Sequence, residues 1–388
     1  MAMKVTFLVY NIYGIGGTVR TVVNTANYLA SAGYEVEIIS VRKTRTKPTF
    51  RIDKKIKLKP LLNVKKGISK SGIKGFIADF LNKMPSILID KNEDLYKMFT
   101  MYTDFLIRTA LKQLKTDVLI TTVPSFNLLA IKYADSKIIR IGQEHAQFSV
   151  HGRSLKRKIK KNYAKLDALT VLTKKENEAY KALFDNKLNI IEIPNATQKT
   201  DIRVNYNNKM IVTAGRFVYQ KGFERLIKSY VPIAKKYPDW TLRIYGSGYD
   251  YELMRETINR YNLYNHVFLF PSSKNILHEF GKASIFVLPS RFEPFGMVVI
   301  EAMSVGLPIV SYDSYGPAKI IEDGKDGFIV EMDNEKELKN KISQLIENKK
   351  LRKKMGEEAI NKADYYSENT IGKIWEESFL QLKNNKTK

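Results

Sequence analysis

A short apolar run at residues 4–12 leads straight into Gly14-Ile15-Gly16-Gly17, and residues 18–32 then carry Val19, Val22, Val23, Ala26 and Leu29 at helical spacing. Gly33 closes that helix, and residues 35–41, EVEIISV, read as a second strand. A strand that reaches its neighbour through a helix closes as a parallel βαβ unit, and a parallel sheet needs cover on both faces. This opening therefore commits the chain to an open α/β architecture. Further strands are expected at 117–122, 137–141 and 168–172, and the pattern starts again at 209–214, 241–245, 267–269, 285–288 and 308–311. At 388 residues the chain is too long for one core. The Pro194-Asn195 turn and the polar stretch 197–208 mark the boundary, giving domains at 1–196 and 197–388, with the last helix able to pack back on the first domain. The expected fold is α/β, two Rossmann-like doubly wound domains facing a central cleft. Ligand sites in open α/β sheets lie outside the carboxyl ends of the strands.

Composition limits what such a chain can do. Hydrophobic residues make up 44% of it, enough for two cores, and with no cysteine there is no disulfide, thiolate metal site or cysteine nucleophile. The apolar start is too short to span a bilayer and no segment approaches the roughly 20 apolar residues that spanning requires, so the expected location is the cytoplasm and any membrane contact is peripheral. Net charge is +25, and residues 1–196 hold 35 basic against 16 acidic residues, or +19 of it. An anionic partner would dock on that half, unless the lysines only solvate the surface.

Three loops carry candidate chemistry. Gly14-Ile15-Gly16-Gly17 lets backbone approach a ligand and turns free amides toward an anion. It also resembles a dinucleotide fingerprint with Glu35 or Glu37 on a ribose, but Val19 stands where the third glycine belongs; a plain tight turn is the other reading. Strand 209–214 ends in Gly215-Arg216, followed by Lys221-Gly222, which sets a bidentate guanidinium and a point charge at a strand's carboxyl end, suited to two phosphates. Residues 290–311, SRFEPFGMVVIEAMSVGLPIVS, follow strand 285–288 with a loop and a short helix at 296–304. Glu293 precedes the helix, whereas Glu301 lies inside an apolar stretch and needs donors there, either sugar hydroxyls or a buried ion partner.

With these residues in view, the chain resembles the retaining glycosyltransferases of family 4, of GT-B fold, whose E-x7-E pair is matched by Glu293 and Glu301. The resemblance covers nearly the whole chain: the N-terminal glycine loop, Gly215-Arg216 with Lys221-Gly222, the Gly246-Ser247-Gly248 turn, and the run E-P-F-G-x-x-x-x-E-A-M. It implies that Arg216 and Lys221 hold a nucleotide diphosphate, that Glu293 orients the donor sugar and that Glu301 binds the ribose. It further implies that the amides of Phe295, Gly296 and Met297 meet phosphate and sugar, and that those of Gly16 and Gly17 face the diphosphate. His145 follows strand 137–141 at its carboxyl end, where a family histidine helps place the donor sugar; His151, His266 and His278 have no comparable setting, and Glu144 is a candidate for acceptor hydroxyls.

The implied reaction moves a sugar from a UDP-linked or other nucleotide sugar, with retention and with neither metal nor cofactor, since the cations and helix-start amides meet the leaving diphosphate and the chain has no Asp-x-Asp pair. The expected acceptor is a cell-envelope teichoic acid, polysaccharide or glycolipid, anionic or lipid-linked, and no nucleic acid is expected. A basic amphipathic segment at 64–90, with Ile73, Phe76, Ile77, Phe80, Leu81 and Met84 at helical spacing behind Lys65, Lys66, Lys70 and Lys74, and a second basic run at 153–161 suit peripheral association with the inner face of the plasma membrane. Two other readings remain open at this level: a nucleotide-sugar epimerase on the same scaffold, and a non-catalytic basic polyanion-binding protein, which leaves the paired glutamates and glycine loops unexplained.

Overall fold

Strands rich in valine, isoleucine and leucine send alternate side chains into two separate cores, and that doubles the burial each strand achieves. In β1 (Lys4–Val9), Val5, Phe7 and Val9 face one cluster while Leu8 faces another. The computed structural model describes residues 2–68 and 72–387 and divides into two units, 1–196 with 371–388, and 197–370.

The first unit continues with β2 (Glu35–Lys43), β3 (Lys57–Asn63), β4 (Val118–Thr121), β5 (Ile139–Gln143), β6 (Ala168–Val171) and β7 (Ile190–Glu192). All pair in parallel in the order β3-β2-β1-β4-β5-β6-β7. The second contains β8 (Met210–Arg216), β9 (Thr241–Ser247), β10 (Val267–Phe270), β11 (Ile285–Leu288), β12 (Ile309–Tyr312) and β13 (Gly327–Val330), again parallel, in the order β10-β9-β8-β11-β12-β13. Strand order reverses between β1 and β4 in one sheet and between β8 and β11 in the other. Both are doubly wound, and each opens a crevice at the carboxyl ends of those central pairs.

Three strands escape the sequence pattern. β3, KLKPLLN, is a half-exposed edge strand with lysines and Pro60, which only an edge tolerates. β7 has three residues, and β13 begins at Gly327, where a Cβ would lie 2.6 Å from the Ile309 carbonyl oxygen. The segment 64–90 also differs from a single amphipathic stretch. Its helix is confined to Gly72–Lys83, because Pro85 cannot continue it, and Lys70 lies outside the described residues. Among the described residues no helix is long and apolar enough to cross a membrane.

The helix Glu368–Thr387 supplies Ile371, Trp375, Phe379 and Leu382 to the core of the first unit, packed with Val22, Ala26 and Leu29 from the helix Gly17–Ser31. Gly372 permits this contact, since a Cβ there would lie 2.3 Å from the Tyr28 ring; the Tyr28 hydroxyl donates to Glu376 at 2.8 Å. Trp375→Ala should therefore cost about 3–5 kcal/mol. Equilibrium denaturation followed by circular dichroism measures this, and a loss under about 1 kcal/mol would contradict the packing.

Candidate active site

In the second unit the switch point is built from backbone contacts that only glycine allows. β8 runs on through Gly215 to Arg216, beyond residue 214, because β9 stays paired with it as far as Ser247. A Cβ on Gly246 would sit 1.9 Å from the Gly215 carbonyl oxygen. The chain then turns through Tyr219–Lys221 to Gly222, whose φ of 65° is left-handed and whose Cβ would lie 2.4 Å from the Pro289 carbonyl oxygen. The helix Phe223–Lys236 follows.

This turn is laced to the loop after β11. The Arg291 guanidinium donates to the Tyr219 carbonyl at 2.6 Å, pairs with Glu224 and lies over the Tyr219 ring. The Arg291 backbone amide donates to the Gln220 carbonyl at 2.9 Å, and the Gln220 side chain donates to the Phe292 carbonyl at 2.9 Å. Arg225 is buried, donates to the Pro289 carbonyl at 3.1 and 3.3 Å, pairs with Asp333 and sits 4.2 Å over the Tyr312 ring. On the other side the Glu293 amide donates to the Ser314 carbonyl at 3.0 Å, and the Gly316 amide to the Glu293 carbonyl at 2.9 Å. Sequence reading missed Arg225, Arg291, Gln220 and Glu224. The available signal was an arginine in the apolar helix run FERLI and another two residues before Glu293.

At the centre of the lacing Lys221 and Glu293 form an ion pair, with their side chains only 12% and 11% exposed. Lys221 is thus not the solvated cation that its position after a strand suggests: Glu293 already neutralises it. Arg216 is exposed and makes no ion pair among the described residues. Phe295 is buried against Tyr366, Gly296 adopts a left-handed φ of 102° and opens the helix Met297–Ser304, and Glu301 is buried on that helix. Arg216, Lys221, Glu293, Phe295, Gly296, Met297 and Glu301 therefore belong to one unit, with β8, which ends in Arg216, adjacent to β11, whose following loop carries Glu293. Two cations, two carboxylates and a helix start whose cap offers no side chain can receive an anion and orient hydroxyls. No three acidic or histidine side chains cluster as metal ligands among the described residues.

In the first unit Gly16 caps the helix Gly17–Ser31 without a side chain, leaving first-turn amides such as that of Gly17 at the carboxyl end of β1. His145 follows β5 at the same edge of the sheet. The residue is half-buried, its Nε2 has neither solvent contact nor partner, and burial pushes the pKa down to about 4. Glu144 does not face acceptor hydroxyls. It is buried and accepts from the Tyr163 hydroxyl at 2.5 Å and from Asn127 Nδ2 at 3.3 Å, and His151 Nε2 lies 3.3 Å from its other oxygen. His151 thus has a defined setting that its sequence context did not reveal: burial alone would lower its pKa, but Glu144 overrides this and raises it.

These histidines should titrate in opposite directions. His145 stays neutral until pH nears 4, well below the ordinary value of about 6.5. Unfolded chains bind that proton more readily, so the His145 contribution to stability is full above about pH 6.5 and falls as pH drops toward 4. The His151 contribution runs the other way, full below about pH 6.5 and lost as pH rises through its raised value. Imidazole Cε1–H shifts in NMR, assigned with His145→Gln and His151→Gln, check this; a shared midpoint near 6.5 would refute both environments.

A family model described as glycosyl transferases group 1 matches residues 195–362. An uncharacterized glycosyltransferase of Haemophilus influenzae is 30% identical over 378 residues, which cover 96% of this chain and 98% of that protein. An exopolysaccharide phosphotransferase of Streptomyces coelicolor is 31% identical over 98% of this chain, and the chain spans 41% of its length. Among solved structures, an S. aureus TarM mutant in complex with Fondaparinux, alpha-GlcNAc-glycerol and UDP superposes with a TM-score of 0.78 at 18% identity, over 97% of this chain and 99% of that one. The chain belongs to the glycosyltransferases and has the GT-B fold.

Proposed function

We propose that this chain is a retaining, metal-independent glycosyltransferase of family 4 that moves a sugar from a UDP-sugar to an anionic cell-envelope acceptor such as a teichoic acid, polysaccharide or glycolipid. The observation that carries this reading is the pairing of Lys221 with Glu293 at the β8–β11 switch point, beside exposed Arg216. In the reaction Arg216 and Lys221 take the diphosphate, Glu293 takes donor-sugar hydroxyls, Glu301 takes the ribose, and the amides of Phe295, Gly296 and Met297 complete the phosphate and sugar contacts. Gly16 and Gly17 offer amides to the diphosphate, and His145, neutral at physiological pH, acts as a hydrogen-bonding placer of the sugar rather than as an acid. The bond from the anomeric carbon to the diphosphate breaks, the acceptor oxygen bonds to the same face, and its proton passes to the leaving phosphate oxygen. Positive charge already assembled at that oxygen lowers the barrier without reorganisation. The alpha-GlcNAc-glycerol and UDP bound by TarM, and the exopolysaccharide named for the Streptomyces relative, support the choice of donor and acceptor class. The setting is the cytoplasm, next to the inner face of the plasma membrane, where a lipid-linked acceptor would be held.

The ion pair gives the test an unusual sign. Lys221→Ala removes a phosphate contact and leaves Glu293 buried without its cation, so affinity for UDP should fall by about 1.5–3 kcal/mol and stability by about 1–3 kcal/mol. Glu293→Gln frees the ammonium, so UDP should bind as tightly as before or tighter, while turnover drops by about a hundredfold or more. Calorimetry with UDP and a steady-state transfer assay read the two effects; equal loss of UDP affinity in both variants would sink the assignment.

Transfer should persist in EDTA, because side-chain cations and helix-start amides meet the diphosphate. A strict magnesium or manganese requirement in the same assay would overturn this part of the mechanism.

A further inference from the structure

The helix Gly72–Lys83 has no buried residue, which is unusual for an element carrying this much apolar surface. Ile73, Phe76, Ile77 and Phe80 are 50–81% exposed. At roughly 100° per residue they fall in one arc of about 100°, with Lys74 at one margin and Lys83 at the other. The half-buried Ala78 and Asn82 lie opposite, half-buried Leu81 lies at the margin beside Lys74, and the helix contacts the helix Met101–Lys112. The attachment is fixed at the carboxyl end, where the Met101 amide donates to the Met84 carbonyl at 3.0 Å and the Thr100 hydroxyl to Asn82 at 3.1 Å. The helix is thus held from behind with its apolar face outward. Apolar exposure continues onto Ile87 and Phe105 in the neighbouring segments.

Charge decides what covers this face. Between residues 64 and 84 the only acid is Asp79, which pairs with Lys83 at 2.9 Å, while Lys65, Lys66 and Lys74 are exposed. A second copy of the chain would bring these lysines against their own kind, and a soluble polyanion has no use for Phe76 and Phe80. An anionic lipid bilayer satisfies both features at once, with rings in the headgroup and acyl boundary and lysine stems reaching back to the headgroups. We propose that the helix Gly72–Lys83 is the element by which this chain docks on an anionic bilayer surface, its apolar face entering the lipid and Lys65, Lys66 and Lys74 holding the headgroups. This deepens the acceptor reading above and rests on it for its purpose, since it names the element that brings the enzyme to a membrane-held acceptor.

Cosedimentation of the full chain with phosphatidylcholine vesicles, with and without phosphatidylglycerol, tests it. The chain should bind only the vesicles containing phosphatidylglycerol. The double variant Phe76→Ser/Phe80→Ser should lower that partitioning about a hundredfold, since two exposed rings are lost. The triple variant Lys65→Glu/Lys66→Glu/Lys74→Glu should lower it about tenfold or more, an effect that added salt reproduces in the parent chain. Neither set of residues supports the core, so melting temperature and UDP affinity should stay at parent values. Failure of the parent to bind phosphatidylglycerol vesicles, or binding untouched by the phenylalanine variant, would overturn the proposal. So would self-association in light scattering that this variant abolishes, which would make the face a dimer contact. Vesicle binding without sugar transfer from any UDP-sugar supports docking and removes the functional reading above, and transfer without vesicle binding does the reverse.

Discussion

A carboxylate withdrawn from water needs a cation beside it, and here that need joins two loops that lie 72 residues apart in sequence. Glu293 cannot remain buried without Lys221, and Lys221 cannot hold its position unless Gly222 turns left-handed under the Pro289 carbonyl. Arg291 and Arg225 extend the same constraint by satisfying carbonyls that the irregular backbone leaves open. The turn after β8 and the loop after β11 therefore behave as one body. In the proposed reaction this couples the diphosphate end of the donor to its sugar end. An anion arriving at Lys221 competes with Glu293 for the ammonium, and the carboxylate so released is the group that would accept the sugar hydroxyls. Ion pairing in the resting protein thus keeps both side chains ready without leaving either uncompensated.

The first unit uses a different means to the same end. Glu144 is fixed by Tyr163, Asn127 and His151, and its amide donates to the Thr170 carbonyl at 2.9 Å in continuation of the sheet. The residue after it, His145, is held on a rigid support with an unpartnered Nε2. In the proposed reaction, a neutral imidazole with one unsatisfied nitrogen would serve hydrogen bonding rather than charge.

The fold was legible because parallel strands write themselves as short apolar runs between helices. What stayed hidden were elements whose environment excuses them from that pattern: β3 with its lysines and Pro60 at an edge, β7 with three residues, and β13 behind Gly327. At the site, local motifs could point to Arg216, Lys221, Glu293 and Glu301, since Arg216 ends a strand, Lys221 and Glu293 lie in the loops that follow strands, and Glu301 interrupts an apolar helix. The pairing of Lys221 with Glu293, and the arginines that lace their loops, depend on β8 lying next to β11, and strand order is not written in any local window. Glu144 misled for the same reason. Its neighbour His145 suggested a ligand-facing position, but successive residues of an extended segment point to opposite sides, and Glu144 points inward.

The basic excess of residues 1–196 takes on meaning through the exposed helix in that unit. Charge alone attracts an anionic surface only within a Debye length of about 8 Å at physiological ionic strength, and it cannot distinguish a polymer from a membrane. Apolar side chains alone would invite aggregation. In the proposed docking, Lys65 and Lys66 before the helix and Lys74 on it bring the molecule near, and the rings of Phe76 and Phe80 decide what it stays on. The division matters for an enzyme whose proposed donor is soluble and whose proposed acceptor is not: the proposed docking helix belongs to the first unit, whereas Arg216, Lys221 and Glu293 belong to the second.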